Sequence, residues 1–390
     1  MRNPLSDKIV NIPPSGIRKF FDIVSEMKDA ISLGVGEPDF ETPWHIREEG
    51  IYSLEKGRTF YTSNAGLKPL KVEICEYLKR RCDVAYDPDR EVLVSVGGSE
   101  AIDLAMRAML NDGDEVLVPQ PSYVSYMPCV TLADGVPVVI QLEEKDQFRL
   151  TPEKLLEKIT DKTKILVLPF PNNPTGAIME REDLEKIVEI VLEKDLFVVS
   201  DEIYSELTYG DEPHVTIASF PGMKERTVLI NGFSKAYAMT GWRLGYAAAP
   251  AAILEQMLKI HQYAIMCAPT TSQYAAVSAL KNGDPDVAMM RESYNQRRRF
   301  LLHAFAEMGI ECFEPLGAFY TFPNIKRFGM TSEEFATRLL QEEKVAVVPG
   351  TAFGDCGEGF VRISYAYSLN NLKEALGRIQ RFVSRLDGKA

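Results

Sequence analysis

The chain has 390 residues, of which 45% are hydrophobic and 26% are charged, and its formal net charge is -12. This composition is typical of a folded globular protein and excludes a fibrous or largely disordered chain. The length suits one large and one smaller domain, and the acidic balance disfavours nucleic acid or an anionic membrane as the main partner, while leaving room for a local site that binds a small anion.

Short apolar runs alternate with helical patterns through the middle of the chain. Seven such runs are predicted to be strands: residues 91–96, 115–118, 136–142, 164–168, 196–200, 227–230 and 244–248. Helices are predicted over residues 100–110 and 182–194, between these runs. Because short apolar runs separated by helices and turn residues are typical of strands buried on both faces, the pattern predicts an α/β fold with a mostly parallel sheet.

The pattern changes after Pro285, where long helical segments dominate. The elements predicted here are helices over residues 287–308, 332–343 and 372–385 and strands over residues 318–322, 345–348 and 360–365. This order indicates a smaller α+β domain, with which the first 40 residues are expected to pack. The predicted division is a large domain, residues 41–284, and a small domain built from residues 1–40 and 285–390.

Lys235 follows the predicted strand 227–230 and lies in the sequence NGFSKAYAMTGWRLG, residues 231–245. A strand that ends in Ser234 and Lys235, with Arg243 further on, offers an amine for a Schiff base and two groups that can bind a phosphate. In open α/β sheets the ligand binds beyond the carboxyl ends of the strands. The stretch therefore indicates a site for a phosphate-bearing aldehyde, although a lone lysine is more often a solvated surface charge.

Other predicted strands also end in polar residues. One strand runs into a proline-rich turn that carries Asn173, and the next runs into Asp201. A buried Asp201 carboxylate needs a cationic partner, which a protonated pyridine nitrogen would supply. Gly98 and Ser99 open a helix directly after the first strand, where backbone N–H groups bind phosphate well. Tyr123 has a ring that could stack on a flat heterocycle, although a single aromatic residue is more often part of a core.

Several of these segments together resemble a known family. They are SLGVGEPDF (residues 32–40), residues 61–66, 173–176 and 234–245, and GFVRIS (residues 359–364). In this order and spacing the chain resembles class I/II aminotransferases of the fold type I pyridoxal-phosphate family, most closely the branch that holds prokaryotic aspartate and aromatic aminotransferases. The resemblance implies a large domain with a mostly parallel seven-stranded sheet, a smaller α+β domain, and transfer of an amino group from an amino acid to a 2-oxo acid.

The resemblance also implies pyridoxal 5'-phosphate as the cofactor and assigns roles to residues of this chain. Lys235 would form a Schiff base with the cofactor and later act as general base, and Asp201 would pair with the pyridinium nitrogen. Tyr204 and Asn173 would hydrogen-bond the phenolic oxygen, and Tyr123 would stack on the ring. The phosphate contacts are expected from Gly98, Ser99, Ser234 and Arg243, and from Tyr61 of the partner subunit in a homodimer.

Substrate contacts follow from the same resemblance. Arg362 would bind the α-carboxylate of the amino acid in bidentate fashion, with Gly36 and Asn173 as further contacts. The kinetics would be ping-pong, because a first amino acid leaves its amino group behind and departs as a 2-oxo acid before a second 2-oxo acid, expected to be 2-oxoglutarate, receives that group.

The resemblance leaves the amino donor open. Ile17, Phe20 and Phe21 lie in an N-terminal segment that usually closes over the substrate in this fold, which favours aromatic donors. Aspartate and N-acetyl-diaminopimelate aminotransferases are the alternatives, and a carbon–sulfur lyase on the same fold is the alternative reaction.

Two further protein classes are disfavoured. A DNA-binding regulator fused to this fold would need a module before Ile31 and is at odds with the acidic charge. A nicotinamide dehydrogenase would carry G-x-G-x-x-G, but residues 34–39, GVGEPD, lack the third glycine. The six cysteines contain no C-x-x-C pair and lie far apart, which predicts free thiols and no metal site. Because the N-terminus lacks an apolar signal segment, a cytoplasmic location without membrane attachment is expected.

Overall fold

The computed structural model describes residues 2–14 and 29–388, which form an α/β protein with three sheets. The strands in these residues are β1 (Ile31–Ser32), β2 (Val92–Ser95), β3 (Glu115–Gln120), β4 (Val136–Gln141), β5 (Thr163–Leu168), β6 (Phe197–Asp201), β7 (Thr227–Gly232), β8 (Gly245–Ala248), β9 (Tyr320–Thr321), β10 (Val345–Ala346), β11 (Val348–Pro349) and β12 (Val361–Ser364). The α-helices are α1 (Asp7–Val10), α2 (Trp44–Glu55), α3 (Lys68–Cys82), α4 (Gly98–Met109), α5 (Tyr126–Leu132), α6 (Pro152–Lys158), α7 (Arg181–Glu193), α8 (Ala251–Ala264), α9 (Thr270–Asn282), α10 (Asp284–Glu307), α11 (Ser332–Glu343) and α12 (Leu369–Leu386).

The central sheet has seven strands in the order β2-β8-β7-β6-β5-β3-β4. Its neighbours pair in parallel from β4 to β7, whereas β8 runs antiparallel to both β7 and β2. The prediction of a mostly parallel seven-stranded sheet is therefore confirmed. The reversal of β8 has a local cause, because residues 233–244 turn the chain back at the edge where β7 ends and no crossover is needed. Lys235 and Arg243 belong to this connection, which places both at the carboxyl edge of the sheet.

Helices cover both faces of the central sheet. Successive side chains of β6 point to opposite faces, so that Val198 packs in one apolar layer and Val199 in the other. On the Val199 face the layer includes residues of α4 and α8, and on the Val198 face it includes residues of α7. A strand that is buried on both faces needs apolar residues at consecutive positions, which explains the uninterrupted apolar runs of the sequence.

The C-terminal part of the chain supplies most of one buried apolar cluster. β11, β12 and β9 form an antiparallel sheet, and β1 pairs in parallel with β10. Helices α10, α11 and α12 contribute Leu301, Phe335 and Phe382 to one buried cluster around these strands. Leu33 belongs to the same cluster, so the segment after residue 29 packs with the C-terminal part. By contrast, α1 lies near α5, where Lys8 forms an ion pair with Asp134.

Some predicted elements differ from the structure. The predicted strand 345–348 is two strands in different sheets, because the chain leaves β1 after Ala346 and pairs with β12 from Val348. The long helix begins at Asp284 rather than at residue 287, since Pro285 fits the first turn of a helix, where its missing N–H has no partner to lose. Helices α2, α3 and α9 have no predicted counterpart because apolar and polar residues are poorly separated around them.

Candidate active site

A cavity of about 420 Å³ lies at the carboxyl edge of the central sheet. The ends of β6 and β7, the start of α4, the segment after β1 and strand β12 all contribute to its wall. Eleven of the twelve residues singled out from the sequence line it, namely Gly36, Gly98, Ser99, Tyr123, Asn173, Asp201, Tyr204, Ser234, Lys235, Arg243 and Arg362. The fold thus brings residues from both ends of the chain to one place, and the roles assigned to them stay predictions.

Lys235 has a low pKa for a lysine. Burial lowers this pKa to about 8; the Glu37 carboxylate opposes the shift, and the guanidinium of Arg362 reinforces it. Nζ donates a hydrogen bond to the carbonyl oxygen of Gly36 at 2.6 Å. An amine with this pKa is unprotonated, and therefore nucleophilic, in an appreciable fraction of molecules near neutral pH.

Asp201 ends β6 with a buried carboxylate. Burial raises its pKa above the ordinary value of an aspartate, and the hydrogen bond from Tyr126 opposes that rise. The Tyr126 hydroxyl donates to Oδ2 at 2.7 Å, and the backbone N–H of Ile203 donates to Oδ1 at 3.2 Å. A protonated heterocyclic nitrogen next to Asp201 would favour the ionised carboxylate, because an adjacent positive charge offsets its desolvation.

The start of α4 and the connection between β7 and β8 form a site suited to an anion. Gly98 and Ser99 occupy the first turn of α4, where backbone N–H groups lack partners within the helix. Gly97 precedes them with a φ of 83°, and a Cβ atom on it would lie 2.8 Å from Nη2 of Arg243. Ser234 lies on the wall of the same cavity. The N–H groups, the hydroxyls and the guanidinium together match the oxygens of a phosphate.

Arg362, on β12, is held in a fixed orientation although it is only 2% exposed. Nη1 donates to Oδ1 of Asn173 at 2.7 Å, and Nη2 donates to the carbonyl oxygen of Gly34. The guanidinium carbon lies 4.5 Å from the ring centre of Tyr320 and 4.7 Å from that of Phe353. A guanidinium stacked between two rings and hydrogen-bonded at both ends is preorganised to bind a carboxylate.

Tyrosine side chains form much of the remaining wall. The hydroxyls of Tyr204 and Tyr320 are 2.8 Å apart, and the hydroxyl of Tyr123 is 3.3 Å from Oγ of Ser99. A Cβ atom on Gly36 would lie 2.3 Å from the hydroxyl of Tyr320, which explains the glycine at this position. The Tyr204 hydroxyl, expected to contact the cofactor, is thus already engaged by a residue of the C-terminal part.

Sequence reasoning missed four polar residues that line the cavity, namely Glu37, Tyr126, Thr240 and Tyr320. Tyr126 had a weak signal, because it lies three positions after Tyr123 and so can share its face of a helical turn. Tyr320 had no local signal, since only the packing of the C-terminal part against the large sheet brings it next to Tyr204.

Two sequence-based expectations fall outside this cavity. Tyr61 does not line it and is 79% exposed. Its expected contact with a cofactor held by a second subunit stays a prediction. Ile17, Phe20 and Phe21, the expected lid residues, lie outside the described residues.

The arrangement fits the chemical groups of pyridoxal phosphate. The start of α4 and the guanidinium of Arg243 suit its phosphate, the buried carboxylate of Asp201 suits its ring cation, and the amine of Lys235 suits its aldehyde. Nε of Arg362 is buried without a hydrogen-bond partner in the described part of the chain, which suits a substrate carboxylate. Fold and cavity together define an α/β protein with a buried lysine amine at the carboxyl edge of its central sheet.

Comparison with known proteins identifies the family. The sequence model named "Aminotransferase class I and II" matches residues 28–379. An aspartate aminotransferase of Pyrococcus abyssi is 48% identical, with 97% of each chain covered, and aromatic-amino-acid aminotransferase 2 of Thermococcus litoralis is 43% identical, also with 97% of each chain covered. The crystal structure of the aromatic aminotransferase from Pyrococcus horikoshii OT3 superimposes with a TM-score of 0.91 at 46% identity, covering 94% of this chain and 99% of the other.

The chain belongs to the class I and II aminotransferase family and is an aminotransferase of fold type I. The resemblance predicted from the sequence is therefore confirmed. This family uses pyridoxal phosphate, in agreement with the chemical groups that the cavity accommodates.

In residues 2–14 and 29–388, no helix combines the length and the apolar character needed to span a bilayer. The same ranges contain no group of three histidine, cysteine or acidic side chains placed to hold a metal ion.

Proposed function

We propose that this protein uses pyridoxal 5'-phosphate to transfer the amino group of an L-amino acid to a 2-oxo acid, with aromatic donors favoured and 2-oxoglutarate as the acceptor. The observation that carries the proposal is the single cavity in which the Lys235 amine, with a pKa of about 8, lies with a buried carboxylate, Asp201, and a stacked guanidinium, Arg362. The kinetics are ping-pong, because both half-reactions use the same cavity.

Each of these three residues has a distinct task in the proposal. When bound, pyridoxal phosphate supplies an aldehyde that condenses with amines and a ring that takes up the electron pair left when an α-proton is removed. Lys235 accepts that proton at Nζ and donates it back to the bound reactants in a later step. A pKa near neutrality permits both transfers. Asp201 holds a proton on the ring nitrogen through its negative charge, and Arg362 orients the substrate through its α-carboxylate.

The walls of the cavity favour a donor with an apolar side chain. Val35, Ile102 and Ile203 line it together with the tyrosines. Its cations, among the described residues, are Lys235, Arg243 and Arg362, and the proposal already assigns each of them to the amine chemistry, the phosphate or the α-carboxylate. Among the described residues that line the cavity, a second carboxylate on the substrate would find no cation of its own, and Glu37 would repel it. This supports aromatic donors over aspartate, although several of the similar proteins are named aspartate aminotransferases.

Covalent capture of the cofactor tests the role of Lys235. Apo protein mixed with pyridoxal phosphate and reduced with borohydride should carry the pyridoxyl group on the peptide that contains Lys235. Lys235→Ala should lose both the label and transamination, whereas Lys259→Ala, a change at an exposed lysine, should retain both. A label on another lysine of the wild type would contradict the assignment.

A donor panel with 2-oxoglutarate tests the substrate class. Burying a phenyl ring at about 25 cal/mol per Å² favours aromatic donors over alanine by at most a few kcal/mol, so kcat/KM for phenylalanine and tyrosine should exceed that for alanine and aspartate. Glu37→Gln should reduce the difference in kcat/KM between phenylalanine and aspartate. The aromatic proposal would be overturned if kcat/KM for aspartate or for an N-acetylated diamino acid exceeded that for the aromatic donors by about tenfold, roughly 1.4 kcal/mol. Release of ammonia without a second amino acid as product would favour a lyase instead.

A cytoplasmic homodimer is the working unit in this proposal. Phe60, Tyr61 and Tyr263 are 80%, 79% and 87% exposed. The side-chain amide of Asn64 donates to the carbonyl of Met266 at 2.7 Å, which brings the two exposed segments together. Large exposed aromatic residues in one patch are typical of a protein interface. A second copy of the chain would cover this patch, and Tyr61 of the partner subunit would reach the phosphate.

Within each subunit the proposal divides the chain into a large domain, residues 41–284, and a small domain, residues 1–40 and 285–390. The shared cluster of Leu33 with the C-terminal helices supports the assignment of the segment just after residue 29. The ion pair of Lys8 with Asp134 argues the other way for the first residues, since Asp134 lies in the large domain.

A further inference from the structure

Glu100 lies in the first turn of α4, next to the proposed phosphate site. Oε2 of its carboxylate accepts a hydrogen bond from the backbone N–H of Val96. Oε1 lies 2.7 Å from Nδ1 of His261, a completely buried residue of α8. Since an ionised carboxylate only accepts hydrogen bonds, Nδ1 of His261 carries the proton in this contact. Nε2 of His261 has no hydrogen-bond partner within the described residues, so Glu100 provides the polar contact of this imidazole.

These contacts restrain the loop between β2 and α4. Oγ of Ser95 donates to the carbonyl oxygen of Gly97 at 3.0 Å, and Glu100 binds the N–H of Val96. The guanidinium of Arg243 lies against Gly97, so close that a Cβ atom would meet it at 2.8 Å. Ser95 and Glu100 thus restrain the loop against which the Arg243 guanidinium lies, and with it the N–H groups at the start of α4.

The Glu100 carboxylate would interfere with phosphate binding if its side chain turned toward the start of α4. Helix N-termini attract carboxylates as well as phosphates, so a carboxylate in the first turn competes for the same N–H groups and repels a phosphate dianion. The contact with His261 draws the Glu100 side chain toward α8. Neither residue lines the cavity.

We propose that Glu100 and His261 are positioning residues for the cofactor phosphate. Glu100 keeps residues 96–98 in the conformation that binds it, and His261 keeps the Glu100 carboxylate out of the phosphate site. Both residues act through the loop and make no contact with the ligand. The inference rests on the proposed function, in which the start of α4 and Arg243 bind the phosphate of pyridoxal phosphate.

A residue that only stabilises the helix start would behave differently. Asp183 provides the matched control, because it occupies the same position in the first turn of α7, accepts a hydrogen bond from the backbone N–H of Glu180 at 3.1 Å and does not line the cavity. Loss of such a cap lowers the melting temperature of the apo protein but leaves ligand affinity unchanged. Asp183→Ala should show this behaviour.

The test compares the dissociation constants of the apo protein for pyridoxal 5'-phosphate and for pyridoxal, which lacks the phosphate, by absorbance titration. Glu100→Ala should raise the dissociation constant for pyridoxal phosphate about tenfold and change that for pyridoxal less than about twofold. His261→Ala should weaken the binding of pyridoxal phosphate at least as much, because it frees the Glu100 carboxylate. Adding Glu100→Gln to His261→Ala should restore part of the affinity, since the released side chain is then uncharged.

Further variants and the wild type separate the possible outcomes. His261→Gln can still donate to the carboxylate, so it should keep near wild-type affinity and provides the comparison should His261→Ala not fold. Equal affinities in all variants, or a parallel loss for pyridoxal, would overturn the inference alone. A wild type that binds neither compound would overturn the proposed function, and the inference with it.

Discussion

Lys235 combines a lowered pKa with a fixed position, and both follow from its enclosure at the end of β7. The ammonium form loses hydration when it is buried, and nearby arginines disfavour it further. The carbonyl of Gly36 accepts a hydrogen bond from Nζ and so orients the side chain. At the scale of single residues, the fold has therefore converted an ordinary side chain into a reactive amine.

The rate of covalent attachment of pyridoxal phosphate should report this pKa. Only the neutral amine attacks an aldehyde, so the rate should rise with pH through a midpoint near pH 8 rather than near the ordinary lysine value of about 10.4. Glu37→Gln should lower the midpoint further, because the Glu37 carboxylate stabilises the ammonium form, whereas Glu255→Gln, a change at an exposed site, should leave it in place. Stopped-flow absorbance across pH 6 to 10 measures the midpoint. A wild-type rate that shows no midpoint below about pH 10 would contradict the lowered pKa of Lys235.

Asp201→Asn should leave the fold intact and reduce kcat by roughly 10²-fold or more, since a neutral amide cannot hold a proton on the ring nitrogen. Cofactor binding should suffer less than turnover. Tyr126→Phe removes the 2.7 Å hydrogen bond but keeps the charge, so its loss of kcat should be smaller. Steady-state kinetics with cofactor loading checked by absorbance compares the two variants. Near wild-type turnover of loaded Asp201→Asn would remove this residue from the mechanism.

At the scale of elements, the connection between β7 and β8 brings together the residues of the proposed phosphate site. β8 returns antiparallel to β7 and starts at Gly245, directly beneath the loop that opens α4. A Cβ atom on Gly245 would lie 2.6 Å from both the carbonyl carbon of Gly97 and the nitrogen of Gly98. The close contact between these two backbone segments fixes the position of the start of α4 relative to Arg243.

Gly245→Ala should therefore push the loop before α4 away from its place. Because backbone atoms cannot yield as a flexible side chain can, the free energy of unfolding should fall by about 1 to 3 kcal/mol and the affinity for pyridoxal phosphate should fall with it. Gly241→Ala is the matched control, since a Cβ atom there meets nothing within 4 Å, and it should change stability by less than about 0.5 kcal/mol. Denaturant unfolding and cofactor titration of the two variants provide the comparison. Equal values for both would show that the loop tolerates the methyl group.

At the scale of the whole molecule, the proposed homodimer would link assembly to cofactor binding through the exposed aromatic patch of Phe60, Tyr61 and Tyr263. Tyr61 lies on this patch and not in the cavity of its own chain. If a second copy covers the patch, each site is completed by the other chain, and association and cofactor affinity depend on each other.

Dilution of the holoprotein should consequently release cofactor as dimers dissociate. Tyr61→Phe should weaken cofactor binding by about 1 to 3 kcal/mol through loss of a hydrogen bond to a charged group, without changing the mass of the assembly. Analytical ultracentrifugation combined with absorbance of the bound cofactor follows both quantities. A fully active monomer would contradict the prediction.

The sequence alone predicted the layered α/β fold and most of the residues that line the cavity. Runs such as residues 164–168 and 196–200 are apolar at successive positions because their strands are buried on both faces, and that signal is local. Because parallel strands end at the same edge of the sheet, the sequence predicts that residues such as Asp201 and Lys235 lie close together. The family motifs then supplied roles that spacing by itself did not.

Only the tertiary structure decided which side chains complete the site. Tyr320 reaches Tyr204 in the cavity, and His261 reaches Glu100 outside its lining, because segments that are distant in the chain pack in the same apolar layer. The reversal of β8 likewise depends on the path of a loop rather than on any apolar pattern. Contacts of this kind have no local period in the sequence, since they follow from how apolar layers of different segments fit together.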